Sequence, residues 1–203
     1  MRTRTAPLQV GVSGGIGTGK SVVCRIFACL GVPVYEADAR AKWLSDNDPA
    51  IRAEVVELLG EESFVDGAYN RAYVASRVFS DAQLLHELNH IIHPRVFADG
   101  DRWLENHGSE PYVLREAALM NGAGDRNSLD KVIIVTAPLP LRIERIISRD
   151  PQRSEQEIRA IIKNQISEEA RLKLADFVVD NGDNAALIPQ VLSLHKTLLE
   201  FAN

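Results

Sequence analysis

The sequence predicts an α/β fold built on an open parallel sheet, and three observations carry that prediction. An apolar run, Leu8–Val12, passes straight into a glycine-rich segment and then into a helical pattern. Four more short apolar runs follow, at 32–36, 112–116, 131–136 and 177–179, with helical stretches between them. Strands that alternate with helices in this way form parallel sheets. The third observation is a long helical stretch between the second and third runs, which reads as an insertion into the fold.

Gly14–Ser21 fits the pattern G-x-x-x-x-G-K-[ST] of a phosphate-binding loop. Glycines at 14, 15, 17 and 19 let the backbone turn its N–H groups inward around phosphate oxygens. A helix starting near Lys20 adds the partial positive charge of its N-terminus. Lys20 is placed to reach the β- and γ-phosphates, and the Ser21 hydroxyl to ligate magnesium. Val22, Val23, Ile26, Phe27 and Leu30 recur at helical spacing, and Gly31 with Pro33 supplies the stop. Strand, loop and helix together are the context the motif requires; a glycine-rich turn without a ligand is the plain alternative.

After the second run comes Glu36-Ala37-Asp38. Residues just past a strand's carboxyl end face the ligand crevice in such a sheet. Asp38 is therefore either a carboxylate for a substrate hydroxyl or the N-cap of a helix over Ala39–Leu44. Asp48-Pro49 opens a further helix with Ile51, Val55, Leu58 and Leu59 on one face and Gly60 as its stop. Asn70 caps a helix through Phe79, Ser80 with Gln83 makes a capping box for one through Ile92, and Pro94 opens another carrying Val96, Phe97, Trp103 and Leu104. The insertion is thus expected to be helical throughout, over about sixty residues. His90 and His93 lie in it, three apart and without a carboxylate or cysteine nearby, a poor metal pair. Arg95, after the proline, is a candidate anion ligand.

Glu116 ends the third run, where it either holds a magnesium-bound water or meets only solvent. Lys131–Thr136 is the clearest strand. A helix after Pro138 and Pro140 should bury Ile143, Ile146 and Ile147, with Arg142, Arg145 and Arg149 on its other positions. Asp150–Arg153 breaks it, and Ser154 with Glu157 caps a second helix through about Arg171. Two helices joined by an arginine-bearing break suit a lid over nucleotide phosphates; two solvated charged helices are the alternative. A strand at Phe177–Val179 ends in Asp180-Asn181-Gly182, and an amphipathic helix over Ala185–Phe201 closes the chain.

Composition is consistent with this. The 203 residues suffice for one core with a small appended lobe, and 45% hydrophobic with 25% charged is ordinary for a globular protein. A formal charge of −5 argues against a nucleic-acid partner. Cys24 and Cys29 share one helix and cannot bridge, so they read as core thiols in a reducing compartment. No run is long enough for a signal peptide or a membrane span, so the protein is expected in the cytoplasm.

The ordered set of motifs resembles the dephospho-coenzyme A kinase family over nearly the whole chain. That family's Gly-Gly-Ile-Gly-Ser-Gly-Lys-Ser loop stands here as Gly14–Ser21 with Thr18 for serine. Its Ala-Asp element stands as Ala37-Asp38, its His-Pro as His93-Pro94, and its tail as Gln165, Ala175-Asp176-Phe177 and Asp180-Asn181. Three positions and one segment depart from the family pattern: Glu36 for aspartate, Lys42 for arginine, Val22 for threonine, and Ala118-Leu119-Met120-Asn121-Gly122 where an aromatic–acid pair is usual.

The resemblance implies a three-layer phosphate-loop kinase fold, a five-stranded parallel sheet flanked by helices. It implies one domain over 1–203, with a helical substrate-binding insertion at about 40–108 and a lid at about 150–166. It implies transfer of the γ-phosphoryl group of ATP to the ribose 3′-hydroxyl of dephospho-coenzyme A, with Mg2+ as cofactor. Gly14, Gly15, Ile16, Gly17, Thr18, Gly19, Lys20, Ser21, Val22 and Asn181 would bind ATP, with Ser21 on the metal. Asp38 would orient or deprotonate the hydroxyl, and Arg149 would stabilise the transferring charge alongside Lys20. Asp38, His93, Arg95 and Glu116 would bind the acceptor. No nucleic-acid or membrane partner is expected, and the chain would act as a monomer or small homo-oligomer. A kinase for another small molecule and a non-catalytic nucleotide switch are the rival readings.

Overall fold

The computed structural model describes residues 6–79, 81–116 and 129–202. In chain order they form β1 (Leu8–Ser13), α1 (Lys20–Cys29), β2 (Val34–Glu36), α2 (Ala37–Asn47), α3 (Pro49–Leu59), a 3-10 turn (Glu61–Ser63), β3 (Phe64–Val65) and β4 (Ala68–Tyr69). There follow α4 (Arg71–Val78), α5 (Ala82–Asn106), β5 (Tyr112–Glu116), β6 (Lys131–Thr136), α6 (Leu139–Arg149), α7 (Glu155–Lys163), α8 (Glu168–Leu172), β7 (Phe177–Asp180) and α9 (Leu187–Ala202). The chain divides into two compact units, one of residues 1–35 with 107–203 and one of residues 36–106.

The first unit carries the five-stranded parallel sheet flanked by helices, in the order β2-β5-β1-β6-β7. β1 is central, paired in parallel with β5 on one side and β6 on the other. Alternation explains its burial. Leu8, Val10 and Val12 share one face with Tyr112, Leu114, Ile133, Val135 and Val179, and that face meets Val23 and Phe27 of α1 and Val191 and Leu198 of α9. Val113 and Ile134, which alternate with those residues, are also fully buried, so the middle strands read as continuous apolar runs. The strand order turns at β1, so ligands are expected at its carboxyl end.

Three local expectations change in this unit. In α6, Ile143 and Ile146 are buried as expected, but Ile147 is exposed and Arg142 is buried in its stead. The inward stripe is therefore turned toward the amino end of the helix, because Arg142 finds partners inside. The capping box of Ser154 and Glu157 is present, but α7 ends at Lys163 and a break precedes α8. Of the two thiols, Cys24 is core and Cys29 is exposed.

The second unit gathers α2, α3, α4 and α5 around Leu44, Ile51, Val55, Leu59, Phe64, Val74 and Leu88. Asp48 and Asn70 cap α3 and α4 as their spacing predicts. It is not wholly helical. Asp66 (φ 50°) and Gly67 (φ 83°) turn the chain between β3 and β4, which pair as an antiparallel hairpin. An Asp-Gly step suits that turn because both central residues take positive φ. The two helices expected on either side of Pro94 are one, α5. A proline inside a helix costs about 3 kcal/mol. Here the same face is buried on both sides of it, through Leu88, Ile91, Ile92 and Val96, and Arg95 Nη1 donates to the Ile91 carbonyl at 2.7 Å. Ser80, of the expected Ser80–Gln83 capping box, lies outside the described residues; Asp81 accepts from the Gln83 and Leu84 amides at the start of α5. Arg40 forks onto buried Asp99 at 2.8 and 2.6 Å, tying α2 to α5.

Arg71 forks onto Asp46 at 3.2 and 2.6 Å, tying α4 to α2. The hydrogen bonds from Arg71 hold the Asp46 carboxyl below its usual range. A carboxyl whose folded value is depressed stabilises the protein above its ordinary pKa and loses that contribution as pH falls through the folded value. Asp46→Asn is therefore expected to lower the urea midpoint at pH 7, and the gap from wild type should narrow as pH falls below the ordinary carboxylate range. A gap that stays constant with pH would remove Asp46 from the acid dependence.

Candidate functional site

The phosphate loop sits at the carboxyl end of the central strand. β1 ends at buried Ser13, residues 14–19 form the loop, and α1 begins at Lys20. Gly19 is the residue that needs to be glycine most plainly. It caps α1 at φ 90°, and a Cβ there would stand 2.2 Å from Asn181 Nδ2. That close approach is used: Asn181 Nδ2 donates to the Thr18 carbonyl at 2.7 Å, which ties the loop to the end of β7. The loop also closes on itself. Thr18 Oγ1 donates to Gly15 O at 2.9 Å, and Lys20 Nζ to Gly14 O at 3.0 Å and Gly15 O at 3.5 Å. No acidic residue lies in the first turn of α1, so the positive end of its dipole is not neutralised there. Ser21 and Val22 are exposed on that first turn.

A basic cluster from α6 and α8 backs the loop. Arg142 is buried; its Nε donates to the Ile16 carbonyl at 2.9 Å and its Nη1 to Glu168 Oε2 at 3.5 Å. A Cβ on Gly15 would stand 2.2 Å from Arg142 Nη2, so the guanidinium lies close against the loop backbone. Arg171, also buried, donates from Nη2 to the Ile166 carbonyl at 3.2 Å. Burial, and for Arg171 the charge of Arg142 as well, pulls both guanidiniums below their usual range. Only Glu168 opposes this by its charge, and it is half exposed. Arg171 Nε and Arg145 Nη1 are buried without a hydrogen-bond acceptor. Buried guanidinium N–H groups without an acceptor leave this cluster short of negative charge.

The remaining candidates divide between the units. In the first, Glu116 ends β5 in register with Val12, half buried at the strand end beside the loop. Arg149 ends α6 with its side chain 64% exposed, paired with Asp150 at 3.3 Å. In the second, Asp38 is exposed on the first turn of α2. The N-cap there is Glu36, so the capping alternative for Asp38 fails. His93 is exposed and meets the Phe97 ring edge-on, and Arg95 is paired with Glu54. Asn121-Gly122 and the rest of that departure lie outside the described residues. Among the described residues no three His, Cys, Asp or Glu side chains form a metal-sized cluster, and no helix is long and apolar enough to cross a membrane.

The part Arg142 plays carries no sequence signal: its spacing puts it off the apolar stripe of its helix, and helical periodicity marks a buried arginine no differently from an exposed one. Gln165 stands in the sequence only as part of the tail motif. It lies in the break between α7 and α8, and its Oε1 accepts the Ile16 amide at 3.0 Å.

Residues 8–186 match the family model described as dephospho-CoA kinase. The chain is 37% identical over 187 residues to a dephospho-CoA kinase of Bacteroides fragilis, covering 92% of this chain and 91% of that one. It is 38% identical over 192 residues to one of Methylococcus capsulatus, covering 93% and 96%. Among solved structures it is similar to TT1252 from Thermus thermophilus, with a TM-score of 0.82, 29% identity and coverage of 98% and 99%. The fold is also that of a dephospho-CoA kinase from Campylobacter jejuni, at a TM-score of 0.62, 24% identity and coverage of 94% and 96%.

Proposed function

We infer the reaction from one premise: the chain belongs to the dephospho-CoA kinase family. It is a phosphotransferase that moves the γ-phosphoryl group of ATP onto the ribose 3′-hydroxyl of dephospho-coenzyme A, giving coenzyme A and ADP. The observation that carries this reading is the phosphate loop itself, held at the carboxyl end of β1 with an unneutralised helix end beneath it and a carboxylate-poor arginine cluster behind it.

In this mechanism residues Gly14 to Val22 cradle the phosphates while the Ile16 amide stays on Gln165, and Lys20 exchanges the Gly14 and Gly15 carbonyls for the β- and γ-phosphate oxygens. Asn181 binds the nucleotide by holding Thr18 in place. The donor set fits magnesium: the exposed Ser21 hydroxyl would supply a hard oxygen ligand, and this ion needs no all-protein cage. Bound there, Mg2+ would neutralise charge on the phosphates. Asp38 orients or deprotonates the attacking hydroxyl, and Arg149, from a lid at about 150–166, stabilises charge on the transferring group. His93, Arg95 and Glu116 take part in acceptor binding, within a single kinase domain whose insertion spans about 40–108. Positioning and charge stabilisation do most of the work. The protein acts in the cytoplasm as a monomer or small homo-oligomer, on ATP and dephospho-coenzyme A alone.

Measuring ADP release with and without dephospho-coenzyme A tests the reading. Release that depends on the acceptor is expected. Binding of ATP without turnover would make the protein a nucleotide switch, and release with a different acceptor a kinase of another small molecule.

A further inference from the structure

We propose that Arg142 and Gln165 are positioning residues which set the phosphate loop for its nucleotide by gripping a single residue, Ile16. This rests on the reading of the loop as an ATP site. All three groups of Ile16 are engaged from outside the loop. Its amide donates to Gln165 Oε1 at 3.0 Å, and its carbonyl accepts from Arg142 Nε at 2.9 Å. Its side chain packs against Ile143, Ile146, Ile158 and Ile162 of α6 and α7.

Peptide planarity gives this grip its consequence. In a trans peptide the carbonyl of one residue and the N–H of the next point in opposite directions. Aiming the Ile16 carbonyl at Arg142 therefore aims the Gly17 N–H away from Arg142. Aiming the Ile16 N–H at Gln165 likewise turns the Gly15 carbonyl away from Gln165. That carbonyl meets the Thr18 amide at 3.3 Å, Thr18 Oγ1 at 2.9 Å and Lys20 Nζ at 3.5 Å. Two peptides of the loop are thereby oriented before any phosphate arrives, so binding need not order them. The two grips come from different sides of the arginine-bearing break, Arg142 from α6 before it and Gln165 from the segment after α7.

The chemistry of Arg142 offers a discriminating set of variants. Glutamine places its Nε2 the same number of bonds from Cα as arginine places Nε, so Arg142→Gln keeps a donor for the Ile16 carbonyl and discards the charge. Arg142→Met fills similar space with no donor. Arg142→Lys keeps the charge with the donor one bond farther out. ADP affinity of the full-length protein, measured by calorimetry without acceptor, is the main readout, and it stands whatever the acceptor proves to be.

Arg142→Met and Gln165→Met are each expected to weaken ADP about tenfold, the loss of one hydrogen bond of ordinary strength. KM for ATP should rise in parallel while KM for the acceptor holds. Arg142→Gln should recover affinity to within about threefold of wild type, and Gln165→Glu, which keeps the accepting oxygen, should outperform Gln165→Met. If Arg142→Lys rescues and Arg142→Gln does not, Arg142 acts through charge and the proposal is overturned. Equal losses in KM for both substrates would overturn it as well, since general loosening of the fold does not choose between them. Wild-type protein that fails to bind ADP at all would instead sink the ATP-site reading on which the proposal depends.

Discussion

Lys20→Ala is expected to remove nearly all ATP-dependent phosphorylation of dephospho-coenzyme A while leaving the protein folded. Loss of a single preorganised donor to developing charge costs on the order of 10²–10³ in turnover, and an ammonium acting on two phosphates should sit at the upper end or beyond. The structural cost is small by comparison. Lys20 is the first residue of α1, alanine is a good helix former, and the losses to the fold include the Nζ bonds to the Gly14 and Gly15 carbonyls. Such a bond contributes roughly 1 kcal/mol. The check is a pair of measurements on one preparation: steady-state turnover, and the urea midpoint. Retention of full activity would sink the mechanism. A collapse of stability alongside activity would shift the role of Lys20 to closing the loop on itself, through the carbonyls of Gly14 and Gly15.

The contrast between Lys20 and Arg142 explains how far the site could be read from residues alone. The loop is a local object. Its glycines, lysine and serine act within eight consecutive positions, so their spacing carries the geometry, and strand, loop and helix fall where the motif predicts. The Ile16 grip is not local: Gln165 lies 149 residues away and Arg142 lies 126 away. Periodicity assigns Ile147 to the core and Arg142 to solvent, because an amphipathic pattern ranks side chains by apolarity and cannot see a hydrogen-bonding partner on another element. Pro94 fails for a related reason, since burial of one face on both sides of it outweighs a local breaking signal. The β3–β4 hairpin overturns the expectation of a wholly helical insertion: Asp66-Gly67 is its turn signal, but two-residue strands are too short for alternation to register.

Asp38→Asn should separate chemistry from binding. Glu36 is the N-cap of α2, and Asp38 lies exposed in its first turn, so the substitution removes no capping bond. What the helix loses is one carboxylate near its positive end, worth about 0.3–1 kcal/mol. Asparagine keeps the shape and one oxygen, and it cannot take a proton. If Asp38 accepts or orients the proton of the attacking hydroxyl, turnover should fall by roughly 10²–10⁴-fold. KM for ATP and affinity for ADP should stay within about threefold, because positioning of the donor belongs to the loop. KM for dephospho-coenzyme A should rise modestly, through loss of one charged contact to the ribose. An effect confined to ATP affinity would reassign Asp38 to metal or nucleotide support. A fall in thermal midpoint with turnover intact would make it a helix-dipole residue and nothing more. The three outcomes differ in which constant moves, so steady-state kinetics in both substrates with one melting curve decides among them.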